Sequence, residues 1–420
     1  MIKSILRNGL ILSLGILIGR LSGYIRELII AYKFGVSTQA DNIILMLTIP
    51  DLLNNLLAGG AISGILIPLI SREEDVKRLL TEFTKKLFFI FLAMYIFIVS
   101  ILFFTYDLYI FSLLTISLLS VFPNVFTFIS SSYLQYKKRF KAQSLNTLVF
   151  NVVIIVFLLL GFQNYIFAVG VIVASLARMI WISYDLTFTN MQFRSFFVAD
   201  TNKANKIKYR LMVFMILANG LIFINPMLDK LFASFLQAGS VAILSYSEKI
   251  YLLPVSVFLT TYAVAMLPEL SKMIANGDTS NIGRMLKKTI IFNIAISLCI
   301  AIFMYIFSYD IVKLFYGVAN IEDENSMLIS TVLDGYLLSL VFVGANSILL
   351  NIFFAYKWYG KLIYYSLFML SSKVVINGLL VYFNYDVFHI AASTSLLMVL
   401  SVIILLSTYL MSTTGIRTLQ

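Results

Sequence analysis

The sequence predicts an all-α polytopic membrane protein with about twelve transmembrane helices in two six-helix lobes. Three observations carry that expectation. The 420 residues are 60% hydrophobic and only 12% charged, with a mean hydropathy of +0.95, far from soluble globular composition. Apolar runs recur from end to end and are continuous rather than alternating, which argues helices and against a β-barrel. Basic residues also sort by loop: with spans alternating in direction, 23 of the 31 Lys+Arg fall on one side.

Taken in order, the expected spans lie near 9–32, 41–70, 87–105, 108–135, 146–162, 165–185, 211–235, 240–270, 289–308, 328–355, 362–382 and 389–411. The start, MIKSILRNGL, has the charged flank of a signal peptide, but Arg20 interrupts the apolar run and no small-residue cleavage site follows. It reads as a retained first helix. The turn FGVSTQAD separates the first two spans, and basic loops flank the others. The basic side takes Lys3, Arg7, the 71–86 loop, Lys137 to Lys141, the 186–210 loop, Lys272 to Lys288, Lys357, Lys361 and Arg417. The opposite side takes Lys33, Lys230 and Lys313. The positive-inside rule then places both termini in the cytoplasm of a multi-pass inner-membrane protein. The net charge of +11 is explained by topology, so no nucleic-acid partner is expected.

An internal repeat supports two lobes. Pro68-Leu-Ile-Ser71-Arg72 closes the second span and Pro268-Glu-Leu-Ser271-Lys272 the eighth. Lys85-Lys86 opens the third and Lys287-Lys288 the ninth, while Tyr136-Lys137 closes the fourth and Tyr356-Lys357 the tenth. The offsets are 200, 202 and 220 residues, always six spans apart. An even offset preserves orientation, so the lobes are related by a pseudo-two-fold axis along the membrane normal. They are assigned to 1–200 (helices one to six) and 201–420 (helices seven to twelve), joined through the polar 186–210 stretch.

Charged residues inside the spans mark the candidate site. A charge at mid-bilayer costs about 2.5–3.5 kcal/mol on insertion scales and so faces a cavity or a partner. On the first helix Gly15, Gly19, Arg20, Gly23, Arg26 and Glu27 share an arc of roughly 140° at about 100° per residue. The glycines allow close helix approach. In the second lobe Glu248 and Lys249 lie about nine residues into a helix opening near Ser240. Arg20, Arg26 and Lys249 against Glu27 and Glu248 leave a positive excess, which suits a phosphate-bearing anion. The other reading of Arg20 and Glu27 is a helix-packing ion network. The single Cys299 and single His389 exclude a disulfide and a multi-thiolate metal site. No Walker A, H-E-x-x-H or Rossmann pattern is present. A transporter without cofactor or metal is therefore expected, not an enzyme.

Two blocks resemble the MurJ/MviN-type lipid II flippases. The first runs Gly19-Arg20-Leu-Ser-Gly23-Tyr-Ile-Arg26-Glu27, Phe34-Gly35, Ala40-Asp41, Ile49-Pro50-Asp-Leu-Leu53, Gly60-Ala61 and Ile67-Pro68. The second runs Asp229-Lys-Leu-Phe-Ala233-Ser234, Gly239-Ser240, Tyr246-Ser-Glu248-Lys249 and Leu267-Pro268-Glu-Leu-Ser271. The resemblance implies translocation of an undecaprenyl-diphosphate-linked saccharide such as lipid II, by alternating access around a V-shaped central cavity. It implies Arg20 and Arg26 as the diphosphate holders and Asp41 as the acidic residue opening helix two. The alternatives are a flippase for another lipid-linked oligosaccharide and a cation-coupled small-molecule exporter.

The chain also departs from the family pattern. Asn54-Asn55 stand where the family carries arginine after Pro-Asn-Leu-Leu, Gly59 where it has glutamate, and Lys249 where it has arginine. The chain ends after about twelve helices, where members commonly add two. Asn54 and Lys249, which stand at or next to those family positions, join the candidate site with Glu248. Asp41 alternatively N-caps helix two, with Ser37 and Thr38 as competitors. Pro50, Gly59, Gly60 and Pro254 are candidate hinges or tolerated kinks. Some members hold sodium in the second lobe on oxygens from helices seven, eleven and twelve. Here those helices offer Asp229, Asn377, Thr394 and Ser395, but Lys373 lies one turn before Asn377. Sodium binding is therefore not expected.

Overall fold

The computed structural model describes residues 2–58, 61–70, 75–161, 164–189, 196, 224–255, 270, 273, 279–319, 321–356 and 358–417. Within them the chain is helical apart from turns and short connections. Seven helices among the described residues are long and apolar enough to cross a membrane. Every expected span contains helix, although much of 211–235 and 240–270 lies outside the described residues.

The chain forms two compact units, Met1–Phe34 with Asn42–Met227, and Gly35–Asp41 with Leu228–Gln420. In the first, α1 (Ile2–Phe34) is followed by α2 (Thr38–Ala58), whose opening residues 38–41 group with the second unit, and α3 (Ala61–Ile70). Then come α4 (Val76–Thr105), α5 (Leu108–Leu118), α6 (Val121–Tyr136), the single turn α7 (Lys141–Ser144), α8 (Asn146–Leu159) and α9 (Asn164–Leu186). α8 lies between α1 and α9, and α6 packs on α3 and α9.

Several boundaries differ from expectation, and two have a visible local cause. α4 begins at Val76, eleven residues before 87, because Asp75 caps it by accepting the Arg78 amide at 3.2 Å. The expected 108–135 span breaks at Leu119–Ser120. Pro123 has no N–H for the Leu119 carbonyl, which instead accepts from the Phe122 amide at 3.2 Å.

The second unit holds α10 (Asn225–Ala233), α11 (Ser240–Pro254), α12 (Thr279–Ile306), α13 (Ser308–Tyr316), α14 (Asp323–Ala355), α15 (Tyr359–Tyr382) and α16 (Val387–Arg417). α14 is the hub, touching α11, α12, α13 and α16. Small residues permit this crowding: a Cβ on Gly344 would lie 1.7 Å from Asn293 Oδ1 of α12. Across α14 and α16, the Ser339 amide donates to Ser395 Oγ at 3.0 Å, and that hydroxyl donates to the Gly335 carbonyl at 2.6 Å. Many large apolar side chains remain uncovered by protein, including Phe97, Phe104 and Leu108. On spanning helices this is the lipid-facing surface.

Candidate functional site

The glycine face of α1 meets α7 and α8. A Cβ on Gly15 would sit 2.3 Å from Ser144 Cβ, one on Gly19 3.0 Å from Thr147 Cβ, and one on Gly23 3.4 Å from Asn151 Nδ2. Three successive turns of α1 are thereby seated against that neighbour, which fixes the helix's rotation and the direction of its charges. Arg20 is exposed from protein. Arg26 is largely covered, and its Nη1 donates to Asn151 Oδ1 at 3.0 Å. Asn151 is itself held, its Nδ2 donating to Ser22 Oγ at 2.9 Å and to the Gly19 carbonyl at 3.3 Å. Glu27 is buried, with its Oε2 3.8 Å from Arg26 Nη2, an electrostatic neighbour rather than a hydrogen bond. α1 and α8 thus form one polar assembly, with Arg26 oriented by the neutral acceptor Asn151 and flanked by the Glu27 carboxylate.

Deeper in the first unit, Asn54 is buried. It accepts from Asn124 Nδ2 at 3.2 Å and donates to Asp51 Oδ1 at 3.4 Å. Pro50 lies inside α2, and Gly59 and Gly60 lie outside the described residues. The sequence reading did not single out Arg178, on α9. Its Nε donates to Asn146 Oδ1 at 3.2 Å, and its guanidinium lies 5.3 Å from the Phe150 ring centroid. The Asp51 charge also reaches it. The available signal was that Arg178 belongs to the few basic residues inside a span rather than in a loop.

In the second unit Asp41 does not cap its own helix, correcting one of its two sequence readings. Ser37 does so, its Oγ accepting the Ala40 amide at 3.2 Å. The Asp41 carboxylate instead holds the start of α11, accepting from the Gly239 amide at 2.7 Å and the Ala242 amide at 2.8 Å. The cause is local. The N-cap of α11 is Gly239, at φ +87°, which has no side chain to satisfy the free amides of the first turn. A Cβ there would also strike Val36 at 2.4 Å. Tyr246 strengthens the seam by donating to the Gly35 carbonyl at 2.9 Å.

On α11, Glu248 is buried and pairs with Lys230 of α10, Nζ to Oε2 at 2.7 Å. Lys249 is half-buried, and Pro254 is the last residue of the helix. Next to Lys230 on α10, Asp229 meets Lys373 and Asn377 of α15 and Thr394 of α16. The structure therefore joins Glu248 to a buried polar cluster in its own unit, and Arg26 of α1 to a second cluster in its own.

Comparison with known proteins bears on what these clusters serve. The profile of the family described as lipid II flippase MurJ matches residues 30–417. The chain belongs to the MurJ family. Among relatives, a probable lipid II flippase MurJ of Aquifex aeolicus is 26% identical over 379 residues, covering 84% of this chain and 73% of that protein. Its counterpart in Rickettsia prowazekii is 23% identical over 375 residues, with the same two coverages. In fold, the chain is similar to a lipid II flippase MurJ in an inward closed conformation, with TM-score 0.75 and 22% identity over 95% of this chain and 87% of that one. It is equally similar to an inward-facing multidrug resistance MATE transporter, with TM-score 0.75 and 14% identity over 95% and 96%. The MurJ fold is thus shared with drug exporters, and it is the sequence match that separates the two families. Membership makes the chain a multi-pass membrane flippase.

Proposed function

We propose that this MurJ-family chain moves a polyprenyl-diphosphate-linked saccharide of the lipid II type across the bacterial inner membrane. The cycle is alternating access between the two lobes, with both termini cytoplasmic and no covalent chemistry. The observation that carries the reading is the α1 assembly: Arg20 uncovered, Arg26 aimed by Asn151, and the helix seated through its glycines on α8. An arginine within a spanning helix is costly in hydrocarbon and marks a polar partner or a substrate path. Guanidinium forks match paired phosphate oxygens, and in a low-dielectric setting such contacts strengthen. Undecaprenyl supplies the membrane-soluble part of such a substrate, and the saccharide is what cannot cross unaided.

The remaining candidates take supporting roles. Lys249 adds positive charge from α11, Glu248 and Asp41 hold α11 in place, and Asn54 ties α2 to Asn124 of α6. Pro50 and Pro254, with Gly59 and Gly60, are the proposed bending points. Each arginine–diphosphate contact is worth about 1.5–3 kcal/mol, so losing one weakens binding roughly 10- to 100-fold. The test is complementation of flippase-depleted cells by Arg20→Ala and Arg26→Ala at matched protein levels. Loss of growth with accumulation of cytoplasmic-leaflet lipid II supports the proposal. Full complementation by both variants overturns the arginine assignment, and accumulation of a different lipid-linked saccharide overturns the headgroup.

A further inference from the structure

The sodium ion that some members of the family hold does not fit the buried cluster of the second unit. Asp229 and Lys373 are each 1% exposed and Asn377 is 0% exposed. Lys373 Nζ lies 2.6 Å from Asp229 Oδ1, which also accepts from Asn377 Nδ2 at 2.8 Å. Asp229 Oδ2 accepts from Thr394 Oγ1 at 2.6 Å. The Asn377 carbonyl oxygen accepts from Ser393 Oγ at 2.8 Å, and Lys373 Nζ reaches Ser393 Oγ at 3.2 Å and the Thr394 hydroxyl. Oxygens of Asp229, Ser393 and Thr394 are therefore already arranged around an ammonium, while Ser395 bonds instead to Ser339 and Gly335 of α14.

Charge balance gives the same answer. Asp229 and Glu248 oppose Lys373 and Lys230, and these two pairs sit on adjacent residues of α10. The cluster is neutral without a bound ion, so an added cation would bring a net charge into a buried site. Its own lysine already links α10, α15 and α16, the helices a coupling ion would have to draw together.

We infer that Lys373 is the resident cation of this cage, a tethered replacement for an alkali ion, and that the protein cycles without sodium at this site. The inference concerns the driving ion and is independent of the saccharide carried. It also makes a positive claim: the cage is of alkali-ion type, and removing the lysine should let sodium in.

The test is thermal unfolding of the purified full-length protein in NaCl, KCl and choline chloride at equal ionic strength, with ²²Na⁺ binding as a second readout. The unmodified protein should show equal melting temperatures in the three salts and no saturable ²²Na⁺ binding. Lys373→Ala and Lys373→Gln should melt lower in choline and regain about 5 °C in saturating NaCl. Asp229→Asn added to either variant should remove that gain. A sodium-specific shift or saturable binding in the unmodified protein overturns the inference. So does a folded lysine variant that ignores sodium. If neither variant folds, the result on the unmodified protein decides alone.

Discussion

Replacing Asp41 by alanine removes both oxygens that hold the first turn of α11. The two bonds, 2.7 Å from the Gly239 amide and 2.8 Å from the Ala242 amide, are buried and charge-assisted. No side chain at the N-cap can replace them, because Gly239 occupies that position. A net contribution of about 1.5–2 kcal/mol per bond gives about 3–4 kcal/mol for the pair. In a unit of this size that lowers the melting temperature by roughly 6–16 °C. Asp41→Asn keeps one acceptor and turns an NH2 toward the second amide, so it should lose more than half of that amount. Fluorescence-detected unfolding in detergent measures both. An Asp41→Ala protein melting within about 1 °C of the parent would refute the capping account. The same variant should weaken transport, since Glu248 and Lys249 ride on the helix whose start has been released.

Other predictions follow from single contacts. Gly15→Leu should abolish complementation, because even a Cβ would lie 2.3 Å from Ser144 Cβ and α1 must lift off α7; Gly283→Leu, where nothing lies within 4 Å, should be tolerated. Asn151→Leu should reduce substrate affinity roughly 10-fold while Arg26 remains present, as expected for losing one hydrogen bond to a charged group; unchanged affinity would show that Arg26 orients itself. In a Cys299→Ser background, an impermeant thiol reagent applied to intact spheroplasts should label Val318→Cys, whose site is 81% exposed, and not Lys138→Cys. The reverse pattern would invert the topology.

The glycine face of α1 was legible because helical period alone puts positions 15, 19 and 23 on one side. Its partner was not: nothing local says that Ser144 of α7 and Thr147 and Asn151 of α8 fill that face. Asp41 shows the same limit. Sequence reasoning offered it a cap on its own helix, whereas its actual acceptor role concerns amides 198 and 201 residues away. Contacts at that separation are set by tertiary packing. The Lys373 cluster was more accessible, since Lys373 and Asn377 are one turn apart and both point to Asp229. Arg178 was not legible because it belongs to no motif, and its partners Asn146 and Phe150 lie about 30 residues away on α8. The short helix α13 was missed because Ser308–Tyr316 is only nine residues long and carries Asp310 and Lys313 among its apolar residues, too little to register as a span.

The central claim is that the α1 arginines hold a lipid-linked diphosphate. Native mass spectrometry of the gently purified protein tests it most directly, because the mass of a retained lipid identifies prenyl length and saccharide together. The account predicts a bound undecaprenyl-diphosphate saccharide on the parent protein and its loss from the folded Arg20→Ala/Arg26→Ala double variant. Equal retention of that lipid by parent and double variant would contradict it.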